Sequence, residues 1–319
     1  MGKFDYKREF TKFYWVAGAL LFLVLPLFIK SPYVLHIVIL CLLFSLYVGS
    51  WNILFGYMGV YCFGQQALFG IGAYTSALLV VKLGFPILPA MFLGGIAACL
   101  SSLIVTLPTL KLKGAYVALV TLSFAEVTRI ICSNWIDLTR GQLGLSVPTF
   151  FSGASRIGPY YIAFVLFFVS TMIFYRIIHS SFGAVTIAIR ESQEAAESLG
   201  VDVVKYKFLA FVISSFFTGI AGTFYAHYIQ ILTPEVMAMH NIVDVMVYGV
   251  FGGLGTLAGP VLGTFILKLL SEYTRFLDLY RFLVFGLIII LSVLFIPGGI
   301  VAKISPALER VSKKFSLRM

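Results

Sequence analysis

Residues 33–54 read YVLHIVILCLLFSLYVGSWNIL, with no Asp, Glu, Lys or Arg in the run. An α-helix needs about 20 apolar residues to cross the hydrocarbon of a bilayer. A helix with a wet face carries polar residues on one side, and this run has no charge to put there. It is apolar all round, so it belongs in lipid or inside a membrane bundle. Further runs of the same kind lie at 13–29, 56–83, 86–107, 114–133, 158–178, 207–231, 237–256, 258–277 and 280–297. The expected fold is all-α, a polytopic transmembrane helical bundle of about ten segments (range about 8–10). Residues 1–319 then form a single integral membrane domain.

Composition agrees with that reading. The chain is 60% hydrophobic and 11% charged, against about 25% charged for a soluble domain. Its 29 glycines suit membrane helices, which approach one another through small residues. The net charge of +10 would suggest nucleic acid in a soluble protein. Here the bases fall between apolar runs, so they report membrane orientation and not nucleic-acid binding. Cys41, Cys62, Cys99 and Cys132 lie in apolar stretches without metal-like spacing, and read as small buried hydrophobes. The basic start (Lys3, Lys7, Arg8, Lys12) precedes a run longer than a signal-peptide core, so 13–29 reads as a retained first span.

Placing both ends in the cytoplasm and letting each segment cross once puts fifteen of the 23 Lys and Arg inside. Among them are Lys111, Lys113, Arg176, Arg190, Lys205 and Lys207, with the basic tail 303–319. The positive-inside rule therefore gives an N-in, C-in chain. Two loops are long: 133–158 outside, and 179–206 inside. Glycine clusters interrupt a segment in each half, at Phe69-Gly70-Ile71-Gly72-Ala73 and at Phe251-Gly252-Gly253-Leu254-Gly255. They read as broken helices of an internal repeat around a pathway, or as sites of close helix packing.

The inner loop carries Arg190-Glu191-Ser192-Gln193-Glu194-Ala195-Ala196-Glu197-Ser198-Leu199-Gly200. Wound as one short helix, it puts Ala195, Ala196 and Leu199 on one arc and Glu194, Glu197 and Ser198 on another. Gly200 stands where a helix-ending glycine belongs. Helices that lie on lipid are usually basic, and this one is acidic. A small-residue knob of that kind suits docking into a groove on another protein.

Glu194-Ala195-Ala196 with Gly200 resembles the start of the EAA loop of ABC importer permeases. The usual downstream Ile-x-Leu-Pro is absent, and Val212-Ile213-Ser214-Ser215 stands in its region. Gly56 through Gln66, Leu112-Lys113-Gly114-Ala115-Tyr116 with Phe124-Ala125-Glu126, and Phe251 through Gly263 are similar to signatures of the branched-chain amino acid permeases, LivM type. The resemblance covers about residues 50–265. Two stretches depart from it: Cys62-Phe63-Gly64-Gln65 replaces Ser-Leu-Gly-His, and Thr139-Arg140-Gly141 replaces Thr-Gly-Gly. The resemblance implies a permease subunit that carries leucine, isoleucine or valine, in the cytoplasmic (inner) membrane of a prokaryote. It implies a homologous LivH-type partner permease, two ABC ATPase subunits and an extracytoplasmic substrate-binding protein. ATPase coupling would fall to Arg190, Glu191, Glu194, Ala195, Ala196, Leu199 and Gly200.

For the translocation pathway the candidates are Gln65, Gln66, Tyr74, Thr121 and Glu126. The two amides sit at a broken helix, where they can meet a zwitterion or bond helix to helix. Glu126 is an intramembrane acid with Arg129 three residues on, so it reads as a functional group or as half of an ion pair. Neither a metal nor a cofactor is expected. The chain contains no G-x-x-x-x-G-K-[ST] motif, so ATP would be hydrolysed on a separate subunit. The rival readings are an ion-coupled secondary transporter that relies on Glu126 and Asp244, and a channel lined by the glycine clusters.

Overall fold

The computed structural model describes residues 22–29, 31–110, 112, 114–151, 156–273, 286–287, 290 and 298–301. The apolar runs fold as helices because hydrocarbon offers backbone N–H and C=O groups no partner, and a helix satisfies them internally. The long helices are α1 (Pro32–Asn52), α2 (Gln65–Leu83), α3 (Ile87–Thr109), α4 (Ala115–Asn134) and α5 (Ile157–Ile178). Two short helices follow, α6 (Ser181–Glu191) and α7 (Gln193–Ser198), then α8 (Val203–Ile229), α9 (Met239–Gly252) and α10 (Ala258–Tyr273). Six of these are long and apolar enough to cross a membrane, α1 being lengthened by a π-helical turn at Ile53–Tyr57. The protein is a multi-pass, all-α membrane bundle.

Three expectations about segments change. The run 56–83 is not one helix: residues Met58–Gly64 are non-helical, and α2 starts only at Gln65. The run 237–256 yields a helix of 14 residues, about 21 Å at 1.5 Å per residue and short of a full crossing. A 3₁₀ turn at Pro234–Met237 precedes it. The runs 13–29 and 280–297, like the tail 303–319, lie largely or wholly outside the described residues.

The two long loops lie at opposite ends of the bundle. At one, called the strand end, β1 (Leu145–Ser146) pairs antiparallel with β2 (Ile231–Leu232), which directly follows α8. Lys82 Nζ donates to the carbonyl of Asp137 at 3.2 Å, and Arg156 Nη1 to that of Pro32 at 2.8 Å. At the other, the coupling end, Lys207 near the start of α8 donates to Gln193 Oε1 at 2.9 Å.

Three helices, α2, α3 and α8, meet backbone to backbone. A Cβ on Gly72 would sit 2.5 Å from the Gly219 carbonyl oxygen, and one on Gly222 only 1.9 Å from that of Phe69. Gly94 faces the Gly72 carbonyl in the same way. The first glycine cluster thus serves close packing, which is how membrane helices gain dispersion energy where no hydrophobic driving force separates them from lipid. Around this seam Tyr47, Trp51, Phe211, Phe224 and Tyr248 are fully buried.

Gly222→Leu should disrupt the seam, because the obstacle is backbone and cannot swing aside. Overpacking of this kind costs about 1–3 kcal/mol. Thermal unfolding in detergent should show a clear drop in midpoint, and an unchanged midpoint would mean that α2 and α8 do not meet there.

Candidate functional site

Two neighbourhoods hold the candidate residues. The first surrounds the break before α2. Its seven non-helical residues, 58–64, expose backbone groups inside the bundle, and side chains supply their partners. Trp51 Nε1 donates to the Cys62 carbonyl at 3.0 Å, and the Phe63 N–H donates to Thr121 Oγ1 at 2.9 Å. Thr121 Oγ1 donates in turn to the Ala118 carbonyl at 3.0 Å. Gly64 lies against the Thr121 backbone, where a Cβ would come within 2.7 Å of the carbonyl oxygen. Thr121 therefore pins the broken segment to α4.

Gln65 is fully buried and engaged at both ends of its amide. Its Nε2 donates to Ser214 Oγ at 2.7 Å, and its Oε1 accepts from Thr218 Oγ1. Ser50 Oγ bonds Thr218 Oγ1 at 2.7 Å, and Ser214 Oγ donates to the Ser50 carbonyl at 2.6 Å. These groups join α1, α2 and α8 through a neutral network. Sequence reasoning named Gln65 but missed Ser50, Ser214 and Thr218. The available signal was the i, i+4 spacing of Ser214 and Thr218 on one face of an apolar helix.

Gln66 and Tyr74 share α2 and are both buried, and among the described residues neither Gln66 Oε1 nor the Tyr74 hydroxyl has a hydrogen-bond partner. Glu126 stands apart from this group. Its carboxylate forks with Arg129 on the same helix, Arg129 Nε lying 3.1 Å from each oxygen, and the Glu126 side chain is 46% exposed. The structure gathers Gln65 and Thr121 around the break and puts Glu126 on the open side of α4.

The second neighbourhood is the loop 179–206. The expected single helix over 191–200 is instead interrupted at Ser192, whose backbone is extended (φ −160°, ψ 108°). Ser192 is the N-cap of α7 and accepts from the Ala195 N–H at 3.2 Å, satisfying one of the four orphan donors at a helix start. The far end closes at Gly200 in the left-handed region, φ +81°, with Gly200 N–H donating to Glu197 O at 2.9 Å and Val201 N–H to Ala196 O at 3.1 Å. Gly200 is thus the terminating glycine, as its position implied.

The break also alters the apolar arc. Only Ala196 is buried, and it fixes α7 to the bundle. Ala195 and Leu199 face outward beside Glu191, Glu194 and Glu197, and Leu199 is 85% exposed. Gln193 holds the helix down: its Oε1 accepts from Lys207, and its Nε2 donates to Glu197 Oε1 at 2.8 Å. Arg190 behaves differently from the rest of the set. Its Nη1 donates inward to the Gly56 carbonyl at 2.6 Å, and its Nη2 reaches Glu191 Oε1 at 3.1 Å.

The histidines have local partners. His227 lies between Ser76 Oγ and the Pro148 carbonyl, each at 2.8 Å, and His36 Nδ1 lies 2.6 Å from the Tyr228 hydroxyl. Among the described residues, no cluster of His, Cys, Asp or Glu could hold a metal ion. The ammonium of Lys268 sits 4.2 Å from the centre of the Phe44 ring, a cation–π contact.

The described residues form a multi-pass helical bundle with interrupted helices that presents a short capped helix at one end. Residues 33–293 match the family described as the branched-chain amino acid transport system permease component. The chain belongs to that family, and within it is of the LivM/LivH type. LivM of the high-affinity branched-chain amino acid transport system of Salmonella typhimurium is 29% identical over 286 residues, 81% of this chain and 67% of the relative. A LivM permease of Methanocaldococcus jannaschii is 25% identical over 318 residues, 82% and 92% of the two chains. LivH of Escherichia coli is 24% identical over 297 residues, 84% and 93%. No solved structure matches the chain.

Gln65→Leu should destabilise the bundle by about 1–3 kcal/mol, since it removes one partner from each of two buried hydroxyls. Unfolding in detergent should register this. A variant as stable as the parent would mean that the network does not join the three helices.

Proposed function

We propose that this chain is a transmembrane subunit of an ABC importer for branched-chain amino acids. It would pair with a homologous second permease to enclose the pathway, take cargo from an extracytoplasmic binding protein at the strand end, and receive ATPase subunits at the coupling end. The cytoplasm would then lie at the coupling end, in keeping with the N-in, C-in orientation. The observation that carries the reading is α7: six residues, capped at both ends, tethered through Gln193, with Ala195 and Leu199 standing clear of the bundle amid three exposed glutamates. An isolated helix that short is unstable in water. The structure therefore invests two caps and a buried alanine in holding out a small surface, which suits a rigid contact on another protein.

ATP-driven closure of the ATPases would push α7 and shift the bundle between two arrangements with different affinities for cargo. Gln66 and Tyr74, with buried polar atoms open to a partner, become the favoured pathway contacts on this chain. Gln65 and Thr121 would shape the pathway indirectly by holding the break. Glu126, forked with Arg129, would act on the open face of α4, where the second permease would sit. The first glycine cluster lies inside the unbroken α2 and not at a helix break, so the internal repeat read from the two clusters keeps only the second, at the α9–α10 turn, as an interruption.

Reconstitution tests the whole reading. The chain alone in liposomes should show no accumulation of leucine from a proton or sodium gradient, and accumulation there would establish the secondary-transporter rival. Passive leucine flux through the lone chain would establish the channel. With ATPases, second permease and binding protein present, uptake should require ATP.

Gly200→Val tests α7 directly, because a β-branched residue is strained at positive φ. Co-purification of the ATPase and leucine uptake should both fall at least tenfold. If both are unchanged, α7 has no part in docking.

A further inference from the structure

Arg190 lies in the loop that resembles the ATPase-docking motif, yet its side chain turns away from the exposed surface of α7. Its Nη1 donates to the carbonyl of Gly56, within the π-helical turn that ends α1. Two glycines make room for it. A Cβ on Gly59 would come within 2.9 Å of Arg190 Cγ, and one on Gly255 within 2.8 Å of Arg190 Nη1. Both have positive φ, +72° and +68°. Gly255 belongs to the turn between α9 and α10, and Gly59 to the non-helical stretch that leads to Gln65. One side chain thus lies against both interruptions that reach the coupling end, its stem at Gly59 and its guanidinium at Gly255.

A second side chain closes the same knot. Asn52 accepts from the Gly255 N–H at 3.0 Å through Oδ1, and donates to the Thr256 carbonyl at 2.9 Å through Nδ2. Gly56 packs so tightly here that a Cβ would fall 1.9 Å from Asn52 Oδ1 and 2.6 Å from Gly255 N. The end of α1, the α9–α10 turn and the last turn of α6 are therefore held as one unit. A backbone carbonyl bonded to a guanidinium is charge-assisted, and stronger than a bond between neutral groups.

We infer that Arg190 is a positioning residue: the strut that carries displacement of α7 into Gly56–Gly59 and the α9–α10 turn, and so into the break that precedes the pathway residues. It is not part of the surface the ATPase grips. This rests on the importer reading above and names the route by which that surface moves the bundle. A strut and a docking residue fail differently. Losing the strut leaves Ala195, Leu199 and the glutamates in place, so the ATPases still bind and still turn over, but their work no longer reaches the break.

The test uses the full assembly in proteoliposomes with Arg190→Ala and Arg190→Lys, measuring ATPase co-purification, ATP hydrolysis and leucine uptake. For Arg190→Ala, co-purification and hydrolysis should stay within twofold of the parent, and leucine transported per ATP hydrolysed should fall at least tenfold. Arg190→Lys keeps a donor for the Gly56 carbonyl and should recover part of that ratio. Gly255→Ala, whose new methyl meets Nη1, should give the same uncoupling from the other side of the contact. The inference is overturned if uptake per ATP is unchanged in Arg190→Ala, or if the ATPases dissociate from Arg190→Lys as well. Should the parent assembly itself fail to hold an ATPase, the importer reading fails before the strut comes into question.

Discussion

The structure depends on one constraint: inside a bilayer every backbone N–H and C=O must find a partner within the protein. Helices meet it automatically, so the informative places are those where a helix stops. Between Met58 and Gly64 the chain does without helical bonding, and Trp51, Thr121 and two tight backbone contacts, Val60 N–H to Leu54 O at 2.9 Å and Cys62 N–H to Val60 O at 3.0 Å, take over. Each is a side chain or turn that would have no purpose beside an unbroken helix. The break is therefore built and supported, and its neighbours are fixed by it: Gln65 must bond across to α8 because it opens a helix within the bundle.

The same logic links the break to the glycine seam. For Gln65 to reach Ser214 and Thr218, α2 must lie close along α8, and only residues without a Cβ allow that approach at Gly72, Gly219 and Gly222. Polar bonding and small-residue packing are here two parts of one contact. At the coupling end the arrangement repeats on a smaller scale, with Gly56, Gly59 and Gly255 giving up side chains so that Asn52 and Arg190 can stitch the end of α1, the α9–α10 turn and the last turn of α6 together.

Much of this was legible in the sequence. Runs such as 33–54 and 86–107 announce their helices, because about 20 residues without charge have few other homes. The short helix and its terminating glycine were also visible, since Gly200 needs a left-handed backbone. The break at Ser192 was not. Serine inside a helix and serine capping one look alike in a single sequence, and only the extended backbone separates them. The extent of the break before α2 was hidden for a different reason. Residues 58–64 are mostly apolar, and periodicity cannot tell a buried non-helical strand from a buried helix. Arg190 was named within the right stretch, but the inward course of its side chain to the Gly56 carbonyl was hidden, because the direction a long side chain takes is decided by the space two distant glycines leave for it.

The two-residue ladder at the strand end has its own consequence. Leu145 and Ser146 pair with β2, Val147 N–H donates to the Gln230 carbonyl at 2.8 Å, and the Pro148 carbonyl accepts from His227. The loop of residues 141–148 is thereby stitched to the end of α8. A macromolecule landing on that end meets a surface whose shape is already set. The entropy of ordering the loop was lost when the chain folded, so it does not weigh against association.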